Sequence, residues 1–286
     1  MVSHSARDFY DQLAEDYHLI YADWSLSVSR QGNALDALIR RRLDSAEPHE
    51  VLDCSCGIGT QMIGLAEHGH RVVGSDLSPA AAVRAAAEVR RRGLSAATLA
   101  ADMRSLPFAD ASFDVVLSAD NSLAHLLTED DVRRAVGDVR RVVRDSGLLV
   151  LSARDYGDAR RSQRQSTVPQ VTNSEAGQVV TFQLWHWRDN GVYDFDHLQL
   201  LPDGDTWQVR VRRATSRAWS AEELAELVRV SGFGDVMWHS VEETHFFQPV
   251  LTARPVARPT SPSASSGSYS SGSYSSGSSS SGADDG

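Results

Sequence analysis

The chain has 286 residues, a net charge of −10 at pH 7 and only two cysteines. Phosphate backbones and anionic membranes need a concentrated basic surface, so this balance argues against nucleic acid and membrane as partners. All 28 basic residues are arginine, and triplets such as residues 40–42 and 90–92 read as solvated helix ends near a C-terminal dipole.

The N-terminus, MVSHSARDFYDQL, has no apolar segment like a signal peptide, and no run of about 18 apolar residues follows, so a soluble, cytoplasmic chain is expected. Val28, Leu35, Leu38, Ile39 and Leu43 fall on one face of a helix over 26–43. VLDCS is a first strand, and TQMIGLAEHG is a helix stopped by Gly69. RVVGSD is a second strand, and Ser78 with Pro79 opens an alanine-rich helix ending at Gly93. AATLAAD and FDVVLSAD are the third and fourth strands. Thr128 with Asp131 suggests a capping box for the helix EDDVRRAVGDVRRVVRDSG, and LLVLSAR is the fifth strand. Strands alternating with helices imply a doubly wound, mostly parallel α/β sheet.

After Arg154 the rhythm becomes period two, broken by DNG and PDGD, which predicts an antiparallel insertion. Trp185, Trp187, Tyr193 and Trp207 alternate on its strands, and core packing is their default reading. His186, His197 and His239 show no metal spacing and receive no role; no metal is expected. Ser220 and Glu223 cap a further helix, and VMWHSVEE and QPVLTARP form two closing strands. From about Pro259 the chain is serine, glycine and tyrosine, too poor in apolar residues to order itself. The expected organisation is a helical lid over 1–50, a Rossmann-like core over 51–154, the insertion over 155–218, closing elements over 219–256 and a disordered tail over 257–286.

In open α/β sheets ligands sit beyond the carboxyl ends of the strands. Each predicted strand ends there in a polar residue: Asp53 and the glycine turn, Asp76, Asp102, Asp120 with Asn121, and Arg154. A dinucleotide fingerprint reads G-x-G-x-x-G, but here Gly57 and Gly59 are followed by Met62. Asp53 would repel a pyrophosphate at the helix N-terminus. It suits a cofactor with a cationic amino-acid end. Asp76 follows Gly59 by 17 residues, close to the roughly 20 expected of a ribose-binding carboxylate. Asp102 can accept from an adenine amino group while Met103 packs on the ring. These requirements describe S-adenosylmethionine. Cys54 and Cys56 fit neither a zinc knuckle nor a CxxC pair and read as small packing residues.

VLDCSCGIG, VVGSD, AADM and FDVV before LLVL together resemble the class I S-adenosylmethionine-dependent methyltransferases, over about residues 8 to 256. That resemblance implies a seven-stranded sheet whose last strand is antiparallel. NSLAHL (121–126), ARDY (153–156) and the tyrosine-rich start FYDQLAEDYHLIYADWSLSVSRQ are similar to the glycine/sarcosine N-methyltransferase group. The narrower resemblance implies an N-terminal segment closing over the cofactor. It places Tyr10, Tyr17, Arg30, Ser55, Leu77, Ala119 and His125 on S-adenosylmethionine, with Arg30 on its carboxylate. Asn121 and Arg154 then hold the carboxylate of a small-molecule acceptor.

For an amine acceptor, positioning is the main task, and Tyr21 and Asn121 accept hydrogen bonds from the nitrogen. Methylation at carbon of an aromatic, indole-containing metabolite is the alternative; it requires a base, for which His125, Asp120 or a carboxylate near Asp23 qualify. The bland readings are His125 packing at a helix start and Arg154 pairing with Asp155 or Asp158. A nicotinamide oxidoreductase on the same fold is disfavoured by Met62 and Asp53. Oligomeric state is not legible.

Overall fold

The computed structural model describes residues 5–174 and 177–257, so the expected disorder of the serine-rich tail lies outside the described residues. The first helix, α1 (Ala6–Leu13), begins where the Ser5 hydroxyl accepts from the Asp8 N–H at 3.1 Å. A 3-10 turn (Tyr17–Ile20) leads to α2 (Trp24–Leu43), whose N-cap Asp23 accepts from the Leu26 N–H at 2.8 Å. The alternating section then runs β1 (Glu50–Asp53), α3 (Thr60–Glu67), β2 (Arg71–Asp76), α4 (Pro79–Arg91), β3 (Ala97–Ala100), β4 (Phe113–Ser118), α5 (Glu129–Val142) and β5 (Val143–Ser152). A short α6 (Gly157–Ser162) precedes β6 (Gln170–Ser174), β7 (Gly177–Trp187), β8 (Val192–Asp203) and β9 (Thr206–Arg217). The chain closes with α7 (Ala221–Val230), β10 (Phe233–His239), α8 (Val241–Thr244) and β11 (Val250–Pro255).

Seven strands form one sheet in the order β10-β11-β5-β4-β1-β2-β3. The pairs among β1 to β5 are parallel, and β11 runs against both β5 and β10. Helices cover both faces, so its central strands are apolar throughout: Leu52, Val115, Val116 and Leu149 are fully buried. Each such burial contributes about 1.5–3 kcal/mol. The insertion forms a separate antiparallel sheet, β6-β7-β8-β9, with its hairpin turns at Asp189–Gly191 and at Gly204 (φ +59°), where DNG and PDGD predicted them. Among the described residues no helix is long and apolar enough to cross a membrane.

Three expectations change. The fifth strand begins at Val143, not Leu148, because Gly147 is not a turn. A Cβ there would lie 2.6 Å from the Asp114 carbonyl oxygen, so this glycine lets two strands approach closely. The first closing strand ends at His239, because Ser240 and Glu243 form a complete capping box and start α8. Trp207 is not core: it is 51% exposed on the outer face of the antiparallel sheet, while Trp185 and Tyr193 are buried on the inner face.

The helix α2 packs directly on α3. A Cβ on Gly32 would stand 2.7 Å from the Gly64 Cα, an approach open only to glycine. The segment that covers the site is therefore residues 5–23, with α2 part of the helical layer beneath.

Candidate active site

The sheet order puts the strand reversal between β1 and β4, and the predicted polar residues gather beyond that edge. Gly57 (φ +53°) and Gly59 (φ +100°) shape the turn after β1, and a Cβ on Gly59 would meet Ile63 Cδ1 at 2.9 Å. The Gly57 N–H donates to Asp76 at 2.8 Å, and the Ser78 N–H donates to the other Asp76 oxygen at 2.8 Å. Burial pushes the Asp76 carboxyl up, and these two bonds act against it. Asp76 is thus aimed and fixed, with lone pairs remaining for a ligand hydroxyl.

Asp53 is fully buried. One of its oxygens accepts from the Ser55 N–H at 3.3 Å; the other has no partner among the described residues. Desolvation pushes this carboxyl up to about 7. A buried acidic oxygen without a partner is costly, and a cationic ligand group would satisfy it. Cys54 and Cys56 are buried beside it as free thiols, raised by burial, and Cys56 packs against Gly74.

A cavity of about 440 Å³ runs along this edge, lined by Tyr10, Tyr17, Ser55, Gly57, Asp76, Leu77, Asp102, Met103 and His125. It has the size of a nucleoside-bearing ligand site. Asp102 is forked by Arg104, which also reaches Asp131 at 2.8 Å. Burial acts to raise Asp102, but the Arg104 bonds outweigh it and hold the carboxyl low. Ala119 is buried, and its carbonyl accepts from the Ser122 hydroxyl at 2.8 Å.

The covering segment stacks three tyrosines over the turn. A Cβ on Gly57 would meet the Tyr17 ring at 3.2 Å, and the Tyr10–Tyr17 and Tyr17–Tyr21 centroids are 5.7 and 6.4 Å apart. Burial raises all three phenols, so they are neutral donors. Tyr10 Oη and His125 Nε2 are 2.9 Å apart. His125 is pushed down to about 4, chiefly by burial, and is therefore a neutral imidazole. Its Nδ1 faces the Thr215 backbone and Ser216 Oγ (3.4 Å), which leaves Nε2 to accept from Tyr10.

Beyond the tyrosines lies a chamber of about 80 Å³ bordered by Tyr10, Tyr17, Asp120, Arg154, His125 and His197. It leads to a larger cavity of about 840 Å³ lined by Tyr21, Arg30, Asp120, Arg154, Gln183 and His197. Asp120 and Asn121 are consecutive left-handed residues (φ +55° and +65°), a strained turn that swings Asp120 inward. Ser152 holds that turn: its hydroxyl accepts from the Asp120 N–H at 2.8 Å. Tyr21 donates to Asp120 at 3.3 Å. Burial raises the Asp120 carboxyl, against the pull of Arg154. The Arg154 guanidinium makes no hydrogen bond or ion pair among the described side chains, so the pairing with Asp155 is not formed; the Asp158 side chain lies outside the described ones. Burial alone would lower it, but Tyr156, Tyr193 and Asp120 outweigh that and keep it charged.

The structure therefore brings Tyr10, Tyr17, Ser55, Gly57, Asp76, Leu77, Asp102, Met103 and His125 to one cavity, and Tyr21 and Arg154 to the next. Two placements differ from expectation. Arg30 is exposed and lines the larger cavity instead of the cofactor cavity, because α2 turns that face towards the insertion. The Asn121 amide is engaged at both ends: it accepts from the Arg154 N–H at 3.1 Å and donates to Tyr156 Oη at 2.7 Å. It fixes the backbone of Arg154 from there. His197 received no role from the sequence. Its strand parity with Tyr193 and Phe195 was the available signal that it faces the site. Among the described residues no group of three or more His, Cys, Asp or Glu is placed to hold a metal ion.

Residues 51–147 match a family model described as a methyltransferase domain. A glycine/sarcosine N-methyltransferase of Parasynechococcus marenigrum is 31% identical over 191 residues, covering 63% of this chain and 65% of that protein. The chain thus spans a little under two thirds of that relative's length. The CcbJ methyltransferase of Streptomyces caelestis superposes with a TM-score of 0.70 at 19% identity, over 87% of this chain and 98% of that one. A sugar N-methyltransferase of a Streptoalloteichus species gives 0.68 at 19% identity, over 84% and 93%. These likenesses show the fold. The domain match marks residues 51–147 as a methyltransferase domain, and its cofactor is S-adenosylmethionine. The doubly anchored Asp76, on the cavity wall, fits the ribose of that group, while Asp53 lies fully buried behind the wall and is not among the lining residues.

Proposed function

We propose that this chain transfers a methyl group to the amine nitrogen of a small carboxylated acceptor, an amino acid or related metabolite. The observation that carries this reading is Arg154: a partly buried guanidinium with no partner among the described side chains, set beside Asp120 and Tyr21. Its planar fork suits a carboxylate. When bound, S-adenosylmethionine supplies an activated sulfonium methyl. Arg154 holds the acceptor carboxylate, Asp120 takes a hydrogen bond from the amine, and Tyr10 and Tyr17 close the chamber against water. The amine binds deprotonated, so no strong base is needed, and the gain comes from alignment.

A second reading, methylation at carbon of an aromatic acceptor, is favoured by the size of the larger cavity and by Trp185, Tyr193 and Phe195 on the sheet face that turns inward. There Asp120, whose carboxyl is raised by burial, is the group on the chamber wall able to receive a proton, since the His125 Nε2 already accepts from Tyr10. A labelled-methyl assay over glycine, sarcosine, other amines and tryptophan-containing cyclic dipeptides separates the two. Transfer to glycine or sarcosine is the expected result. Exclusive labelling of an indole overturns the first reading.

A further inference from the structure

His197 lies at the middle of β8, on the face turned to the site, and is 5% exposed. Neither ring nitrogen has a hydrogen-bond partner among the described residues. Whichever tautomer forms, one N–H and one lone pair are buried unmet. A buried polar group left unmet is costly, so a purely structural histidine here is a net loss to the fold. Its neighbours offer no internal remedy. Phe9 meets it edge-on at 6.1 Å between centroids, and Arg212, a neighbour on β9, is already spent on Asp16, Gln199 and the Gln12 carbonyl.

The ring borders both the 80 Å³ chamber and the 840 Å³ cavity, and the same two spaces are bordered by Arg154. Burial, then the Arg212 and Arg154 charges, push His197 down to about 4, so it stands as an uncharged donor. The cationic Arg154 and the neutral His197, whose ring nitrogens are unpaired, thus border the same space from different elements.

We propose that His197 is a specificity-determining residue that donates a ring N–H to the acceptor carboxylate, sharing that group with Arg154. The inference rests on the amine-methylation reading for its ligand, but it is a statement about binding and is tested without turnover. One carboxylate oxygen takes the guanidinium fork and the other takes the imidazole. The site then selects an anion with two in-plane oxygens over a neutral amide, which can offer only one.

The test uses the full chain saturated with S-adenosylhomocysteine and titrated with acetate, sarcosine or acetamide. Imidazole resonances are followed by NMR and affinity by calorimetry. Acetate is expected to shift the His197 ring signals saturably, and acetamide to bind at least tenfold more weakly. His197→Phe and His197→Leu are each expected to weaken acetate and sarcosine roughly tenfold, leave S-adenosylhomocysteine affinity within twofold and raise Tm. A structural histidine would lower Tm instead. His197→Gln, which keeps a donor, is expected to recover part of the binding. No carboxylate binding by the native chain, equal binding of acetamide, or carboxylate affinity indifferent to His197 would each overturn the proposal. Acetate binding that depends on His197, without any methyl transfer to sarcosine, would overturn the amine reading and leave this one standing.

Discussion

The proposed cofactor side of this molecule rests on one sheet, and the proposed acceptor side lies between two. The cofactor side is the carboxyl edge of a parallel sheet buried on both faces, where main-chain turns fix the ligating carboxylates: the Gly57 and Ser78 N–H groups both bind Asp76. The acceptor side is walled on one flank by the inner face of an antiparallel sheet whose outer face is open, with Trp207 and Val209 about half exposed. Of the polar groups there, His197 stands on that face with unpaired nitrogens, and Arg154 reaches in from just beyond β5. A turn conformation can survive large changes in its neighbours. A face of alternating side chains changes with any single substitution, so ligand choice can vary there without disturbing the cofactor.

The largest effect that sharpens this contrast is expected at Asp76. Asp76→Ala removes a carboxylate that two N–H groups hold in place. Losing hydrogen bonds to a charged group costs about 1.5–3 kcal/mol. Calorimetry should therefore show S-adenosylmethionine binding weakened by about 100-fold, with acceptor KM at saturating cofactor little changed. A comparable rise in acceptor KM would mean that the two sides are not separable.

The same contrast explains what was legible in the sequence. Strands β1 to β5 and the residues at their ends could be read because the apolar runs are short and each is closed by a polar residue. The capping pair Thr128 and Asp131 was equally direct, with the Asp131 N–H on the threonine hydroxyl at 3.1 Å. The start of β5 was hidden because Gly147 signals a turn by composition but serves close strand packing. Arg30 was misplaced because one rotation along α2 decides which cavity a helical side chain faces. His197 was hidden for a tertiary reason: a histidine in an alternating strand shows its face, but not that its nitrogens go unpaired.

A smaller effect concerns Asp53. Its carboxyl is raised by burial from 3.8 to about 7. An acid raised in the folded state favours folding while protonated. That contribution is fully present below the unfolded value near 4 and is lost as pH rises through about 7. Asp53→Asn cannot ionise. It should match the native chain near pH 4 and be the more stable of the two at pH 8, read as denaturant midpoints without cofactor. It should also bind S-adenosylmethionine less well. A variant less stable than the native chain at pH 8 would show that Asp53 belongs to the core and not to the cofactor.

The smallest effect is expected where the two sides meet. Asp16, just before the 3-10 turn, accepts from Arg210 and from Arg212 at 2.6 Å, so the covering segment is pinned to β9. Thr172 on β6 adds a bond to the Tyr21 carbonyl at 3.1 Å. Burial acts to raise the Asp16 carboxyl, but the two arginines outweigh it, so the pair is charged at neutral pH. Asp16→Asn keeps the shape and removes the charge, a loss of about 1 kcal/mol for a part-exposed pair. Tyr10 and Tyr17 of this segment cover the cofactor cavity, and Tyr21 lines the acceptor cavity. Loosening it should therefore weaken both ligands together, each by about fivefold, in parallel calorimetric and kinetic titrations. If only one ligand weakens, the segment serves that side alone, and the two sheets are coupled by something other than this ion pair.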